Sequence, residues 1–173
     1  SYYSYGRHAD SPKAVAAFER LLEIQPNNTA GLNNLSSMLL FGHQHARAES
    51  LLVRAVRVGP VSSVHFNNLM RARLAMGQVD SARAAADACV KTFPKNFDCL
   101  TVVANLQWAL GQFDSVRTTA AVMASRINSP DVRAAYDFGM ASLARLSGRL
   151  DEAERFDRES SEAARQAGAL GTE

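Results

Sequence analysis

The sequence predicts an all-α repeat protein, a solenoid of antiparallel helix pairs, and three observations carry that prediction. Pro26, Pro60 and Pro94 stand 34 residues apart. Unlike residue types keep the same interval: Leu35 with Leu69, Asn34 with Asn68, Ala48 with Ala82, Gly77 with Gly111, Asp80 with Asp114. Short strings recur in register, NNL at 33–35 and 67–69 and GQ-x-DS at 77–81 and 111–115. A fixed period of this length marks a chain whose units bury their apolar faces on one another.

Each period holds two helical patterns. Residues 1–8 read as the tail of a helix, with Tyr2, Tyr3 and Tyr5 as packing residues, and 12–25 as its partner behind Ser11-Pro12. Residues 29–41 carry Leu32, Leu35, Leu39 and Leu40 on one helical face, and Gly42 breaks the pattern. Residues 46–58 repeat the face with Ala48, Leu51, Leu52, Ala55 and Val56. Pro60 closes the unit, because proline has no N–H for the ladder and restricts the residue before it. The same reading gives 63–76 and 80–93, then 97–110 and 114–127, then 130–146 and 151–167. Asp80, Asp114 and Asp151 are expected as N-caps after glycine-containing turns, with Asp151 and Glu154 as a capping box and Ser129 capping behind Pro130.

Bulk properties narrow the function classes. A chain of 173 residues with 47% hydrophobic and 21% charged side chains makes a sizeable core and is not disordered. A net charge of +2 gives no electrostatic case for nucleic acid. No apolar run of about 18 residues is present, so no membrane span is expected. Lysine occurs only at Lys13, Lys91 and Lys95, and this alanine- and arginine-rich usage is associated with bacterial genomes of high GC content. Cys89 and Cys99 fall in apolar helical patterns without a CxxC and are expected as buried free thiols, which fits a cytoplasmic, reducing location.

These residues resemble the tetratricopeptide repeat (TPR), a helix–turn–helix unit of about 34 residues. One unit supplies Leu32, Leu35, Ser36, Ala48, Leu52, Ala55 and Pro60; the next Phe66, Leu69, Gly77, Ala82, Cys89 and Pro94; the third Leu100, Val103, Ala104, Gly111, Phe113 and Ala120. The match covers nearly the whole chain. It departs at Val116, where the family prefers alanine, at Asn128-Ser129-Pro130, and between Gly111 and Gly148, which stand 37 residues apart. The last unit also places Asp137 and Gly139 inside its first helix. The resemblance implies one right-handed superhelical domain. It divides into a partial repeat at 1–28, repeats at 29–62, 63–96, 97–129 and 130–167, and a tail at 168–173.

The resemblance also implies a concave groove lined by the first helix of each unit, with a peptide or a helix of another protein as ligand. The positions that match its lining are Asn33, Asn34 and Ser37, then Asn67, Asn68 and Arg71, then Thr101, Asn105 and Trp108. An asparagine offers both a donor and an acceptor, so it can pair with the backbone of an extended peptide. It also costs up to about 0.7 kcal/mol against alanine in a helix. Arg71 suits an acidic side chain. Trp108 is either an aromatic anchor for a partner or part of the core between repeats. The lysines of a carboxylate-clamping member are absent, and an RNA-reading repeat would want a basic inner face.

No phosphate loop, HExxH or GxSxG occurs, and His43 and His45 lack a third ligand nearby, so neither an enzyme nor a cofactor is expected. The expected function is a protein-interaction module. Its rival is a regulatory or sensor segment of a larger bacterial signalling protein, a kinase or transcription regulator, that acts by intramolecular docking. The chain ends are the candidate surface for contacts between copies.

Overall fold

The computed structural model describes residues 12–146 and 148–170. The expectations for residues 1–8, including the tyrosine cluster, lie outside that range. Among the described residues the chain forms nine helices and no strand: α1 Pro12–Ile24, α2 Thr29–Phe41, α3 His45–Val58, α4 Ser63–Ala75, α5 Val79–Thr92, α6 Phe97–Ala109, α7 Phe113–Ala124, α8 Pro130–Leu146 and α9 Leu150–Leu170. The fold class is all-α, as the period predicts. Two compact units divide the chain, the first reaching Leu106 and the second beginning at Gln107.

The first unit is built from hairpins. α2 packs closely on α3 and α4 on α5, α3 packs on α4, and α1 and α4 both lie against α2. Most buried positions of α2 and α3 are ones the period marked, while Leu51, Val56, Leu100, Val103 and Ala104 are half-buried and α6 buries Cys99, Val102 and Leu106 instead. Leu32, Leu35 and Leu39 of α2 meet a core that includes Ala48, Leu52 and Ala55 of α3. Leu32, Ala48, Leu52 and Ala55 are each 0% exposed. Fully burying a leucine contributes about 1.5–3 kcal/mol. The alanines serve another need: Ala82, Ala85 and Ala86 of α5 are buried because a small side chain lets neighbouring helix backbones approach. Phe66 and Phe93 meet edge to face with centroids 6.3 Å apart.

One ion pair ties three helices of this unit. Arg73, in the last turn of α4, donates from Nε to Glu49 Oε1 on α3 at 2.8 Å. Its Nη1 donates to the carbonyl of Ser81 on α5 at 2.9 Å.

The turns also repeat. In the α4–α5 turn, Gly77 N donates to Leu74 O at 2.9 Å and Gln78 N to Arg73 O at 2.9 Å. The α2–α3 turn places His43 N on Leu40 O at 3.2 Å and Gln44 N on Leu39 O at 2.8 Å. Gly77 has φ +73°, a left-handed backbone that favours glycine. His43 stands at the equivalent place with φ +56°. Gly42, expected to break α2, keeps an ordinary φ of −80°. The repeat therefore runs one position later in this turn than the glycine implied.

The caps differ from expectation. The N-caps of α5 and α7 are Gln78 and Gln112, which make no side-chain cap bond. Asp80 and Asp114 sit in the first turn, and so does Asp151 in α9. There a carboxylate still meets the positive end of the helix dipole. Ser129 caps as predicted, its Oγ accepting from Val132 N at 3.3 Å. The caps at Asn28, Ser62 and Asn96 went unpredicted. Asn28 Oδ1 accepts from Gly31 N at 2.8 Å, and His65 reaches back to Ser62 N at 3.1 Å.

Cys89 and Cys99 are buried, as expected, but they are joined as a disulfide. The turn between α5 and α6 folds their Cα atoms to 5.4 Å, inside the range that a disulfide bridges. Ten residues of separation hid that proximity in the sequence.

The second unit centres on the α8–α9 hairpin, with α7 against α8. Ala141, Leu143 and Ala144 of α8 and Ala153, Phe156 and Ala163 of α9 are buried. Asp137 is also 0% exposed, and an arginine clamp explains its place in this helix. Arg133 donates from Nε to Asp137 Oδ2 at 2.6 Å and from Nη2 to Glu159 Oε2 on α9 at 2.7 Å. Arg145 pairs with Asp157, and Ser160 Oγ donates to Ala134 O at 2.9 Å. The Arg133 guanidinium is held above its ordinary range, first by its hydrogen bond to Asp137. Burial raises the Tyr136 phenol, and the nearby Asp137 carboxylate raises it further.

Candidate functional site

The polar positions of α2, α4 and α6 are joined by their own side chains. Asn68 Nδ2 donates to Asn33 Oδ1 and to Ser37 Oγ, both at 3.0 Å. Asn105 Nδ2 donates to Asn67 Oδ1 at 3.4 Å. The helical spacing explains the pairing. Asn33 and Ser37 lie one turn apart on one face of α2, and Asn68 of α4 reaches between them. Asn67, its neighbour in sequence, turns towards α6. Two consecutive asparagines on α4 thus serve two neighbouring helices.

The members differ in exposure. Asn68 is 4% exposed, so its amide belongs to the join between α2 and α4. Asn33, Asn34, Ser37 and Asn67 are half-buried, and Asn105 is exposed. Arg71 is exposed, one turn beyond Asn67 and Asn68, and makes no ion pair among the described residues. Thr101 is half-buried, and its hydroxyl donates back to Phe97 O at 3.4 Å. Trp108 belongs to the second unit, where it meets Phe113 edge to face at 5.7 Å and is half-buried.

The bond directions leave a surplus of donors. Asn33 Oδ1, Ser37 Oγ and Asn67 Oδ1 act as acceptors inside the join. Among the described residues the Nδ2 groups of Asn33 and Asn67 donate to none, and neither does the Arg71 fork. Asn34 makes no side-chain hydrogen bond among the described residues. The face thus offers its spare capacity mainly to acceptors, such as backbone carbonyls and carboxylates.

The join is carried by pairs 31, 35 and 38 residues apart in sequence. The 34-residue period brought these residues to adjacent helices, but it could not say which would hold each other. Ser63 adds a further tie from α4 to α6, its Oγ donating to Asp98 Oδ2 at 3.2 Å. Among the described residues no group of three or more His, Cys, Asp or Glu is placed to hold a metal ion. No described helix is long and apolar enough to cross a membrane.

No family model matches the sequence. No curated protein matches it either. Solved structures do match its fold. TTC0263, a thermophilic TPR protein of Thermus thermophilus, is similar at 20% identity and a TM-score of 0.75, over 99% of this chain and 90% of that one. MamA is similar at 16% identity and a TM-score of 0.58, over 90% and 89% of the two chains. YrrB, described as a TPR protein with an unusual peptide-binding site, is similar at 12% identity and a TM-score of 0.54, over 92% and 80%.

Proposed function

We propose that this tetratricopeptide-repeat fold serves as a protein-interaction module, and that the face formed by α2, α4 and α6 binds an extended peptide or a helical segment of a partner. The observation that supports this reading most is the set of donors on Asn33, Asn67 and Arg71 that no described residue takes up, beside a join that uses the amide oxygens of the two asparagines. An extended peptide presents backbone carbonyls at regular intervals and so suits such a face. An acidic side chain suits Arg71, as a charge-assisted hydrogen bond is roughly twice as strong as a neutral one. Asn34 and Arg71 are the residues to vary, because neither engages another described side chain. The affinity expected is on the order of micromolar, since a short peptide loses ordering entropy when it binds.

The test is selection from a displayed library of random linear peptides, followed by fluorescence polarisation with one enriched peptide. Asn34→Ala/Arg71→Ala should weaken that peptide about tenfold, the effect of losing about 1.4 kcal/mol, while melting like the parent. A library that yields no binder, or a binder indifferent to the double variant, would remove the face from consideration.

A further inference from the structure

We propose that the Cys89–Cys99 disulfide is a two-electron switch on this face, regulating the binding read above and resting on that reading. Bonded, it fixes the entry of α6 to α5. Reduced by a dithiol, it lets that entry loosen, and with it the Thr101 and Asn105 end of the face.

The repeat register shows which positions the bond occupies. A shift of 34 positions puts Cys89 on Ala55 and Cys99 on His65. In that preceding repeat the His65 ring ties the start of α4 to Ser62 just before it and to α2, and Ala55 takes no part. The ring's Nδ1 accepts from Ser62 N at 3.1 Å, and its Nε2 donates to Thr29 O on α2 at 3.3 Å. At the α5–α6 junction a covalent bond joins the two equivalent positions. Both cysteines are buried there, at 0% and 1% exposure. Hydrogen bonds also tie α6 to α4, from Ser63 to Asp98 at 3.2 Å and from Asn105 to Asn67 at 3.4 Å. Both are long for their type. The first turn of α6 begins at this junction, where Asn96 Oδ1 accepts from Asp98 N at 2.7 Å and Cys99 N at 3.3 Å. Once the bond is open, that turn rests on this cap, the long hydrogen bonds and the buried Cys99, Val102 and Leu106.

The chemistry balances with a dithiol. One reductant thiolate attacks one sulfur, forming a mixed disulfide and releasing the other cysteine. The second reductant thiol resolves it. The reductant leaves as a disulfide, having given up two electrons and two protons, and Cys89 and Cys99 are left as thiols. Because both sulfurs are buried, the attack is paced by local opening at the α5–α6 junction.

The whole purified chain is compared before and after dithiothreitol, alongside Cys89→Ala/Cys99→Ala, which lacks the bond without any reductant. Intact mass after iodoacetamide should show no adduct at Cys89 or Cys99 before reduction and both after it. Hydrogen exchange followed by mass spectrometry should show α6 amides exchanging about tenfold faster once the bond is open, with α2 and α3 changed less than about twofold. The peptide enriched in the selection should bind the reduced chain about tenfold more weakly. Adducts before reduction, unchanged exchange in α6, or equal loss across α2, α3 and α6 would each overturn the switch. Exchange needs no ligand, so a failed selection would count against the binding face and leave the switch to be judged by α6.

Discussion

Asn68 Nδ2 donates to Asn33 Oδ1 at 3.0 Å, and with that bond α4 takes hold of α2. The same nitrogen donates to Ser37 Oγ at 3.0 Å, so both amide hydrogens are used within a group 4% exposed. Asn68→Ala leaves two half-buried acceptors without their donor and should cost about 1–2 kcal/mol, near the usual net contribution of the hydrogen bonds lost. Asn34→Ala should stay within about 0.5 kcal/mol of the parent, as surface changes usually do. Urea denaturation of both variants checks the contrast. Equal stability of the two would mean that Asn68 is as unengaged as Asn34.

His43 occupies, at φ +56°, the turn position that Gly77 fills in the next repeat at φ +73°. A left-handed backbone costs an ordinary L-residue roughly 1–2 kcal/mol relative to its right-handed form. Glycine avoids that strain but loses more chain entropy on folding. His43→Gly should therefore stabilise by about 0.5–1 kcal/mol, raising the melting temperature by roughly 1–4 °C for a chain of this size. Gly77→Ala should lower it by a similar amount, since a Cβ at Gly77 meets no atom within 4 Å and only the backbone is strained. A drop with His43→Gly would show that the edge-to-face contact between His43 and His45, 5.8 Å between centroids, outweighs the strain.

The period made the helices legible because it repeats the physical need of every unit: an apolar stripe, a turn, and small residues where helices meet. α2 and α8 begin and end where the sequence placed them, and the other helices predicted within the described residues shift by at most three residues at either end. What stayed hidden depends on distances that no period states. Asn68 reads as one of a row of similar amides, yet it is buried and committed while Asn34, its counterpart one repeat earlier, is not. His43 follows a glycine that drew attention to the wrong residue. Cys89 and Cys99 looked like core positions of two helices, and only the fold of the junction between them brings the sulfurs together. Asp137 looked misplaced within an apolar stripe until Arg133, one turn earlier, supplied its counter-charge.

Ala82 tests the close approach of the helices. It is 0% exposed on α5 and occupies the repeat position of Ala48, also 0% exposed. Ala82→Arg forces a long cation into space filled by one methyl group, combining overpacking with an unpaired buried charge. The cost should exceed about 4 kcal/mol, enough to unfold the first unit or nearly so. Ala82→Ser should be tolerated to within about 1–2 kcal/mol, given a buried serine at Ser36 whose hydroxyl donates to Leu32 O at 2.6 Å. Circular dichroism melts of both variants distinguish a packing limit from a general intolerance of polarity. A parent-like melt for Ala82→Arg would refute the packing.

Tyr136 should make the second unit sensitive to alkali. Its phenol is held above the ordinary range, chiefly by burial and then by the Asp137 carboxylate. A folded pKa above the unfolded one gives a contribution that is complete below about pH 10 and lost as pH rises through the folded value. Tyr136→Phe removes the ionising group, so the variant should lose less stability than the parent between neutral pH and about pH 11. Denaturation midpoints at the two pH values give the comparison. An equal alkaline loss in both chains would place the sensitive group elsewhere.

Arg133 and Asp137 pose a sharper question, because their carboxylate is fully buried while the arginine is 45% exposed. Asp137 Oδ2 accepts from Arg133 at 2.6 Å, and its Oδ1 has no hydrogen-bond partner among the described residues. Arg133→Met strands that carboxylate beside an apolar chain. Losing one member of a buried pair costs about 3–5 kcal/mol, and the exposure of the arginine puts this pair towards the lower end. Asp137→Leu removes the charge and the unpaired oxygen together. The arginine it frees keeps both solvent and Glu159, at 2.7 Å. Arg133→Met/Asp137→Leu should therefore recover most of the loss caused by Arg133→Met alone. The coupling in that double-mutant cycle should reach about 1–3 kcal/mol by urea denaturation. A coupling near zero would mean that the ion pair does not explain an aspartate inside α8, and that the helix holds Asp137 through packing alone.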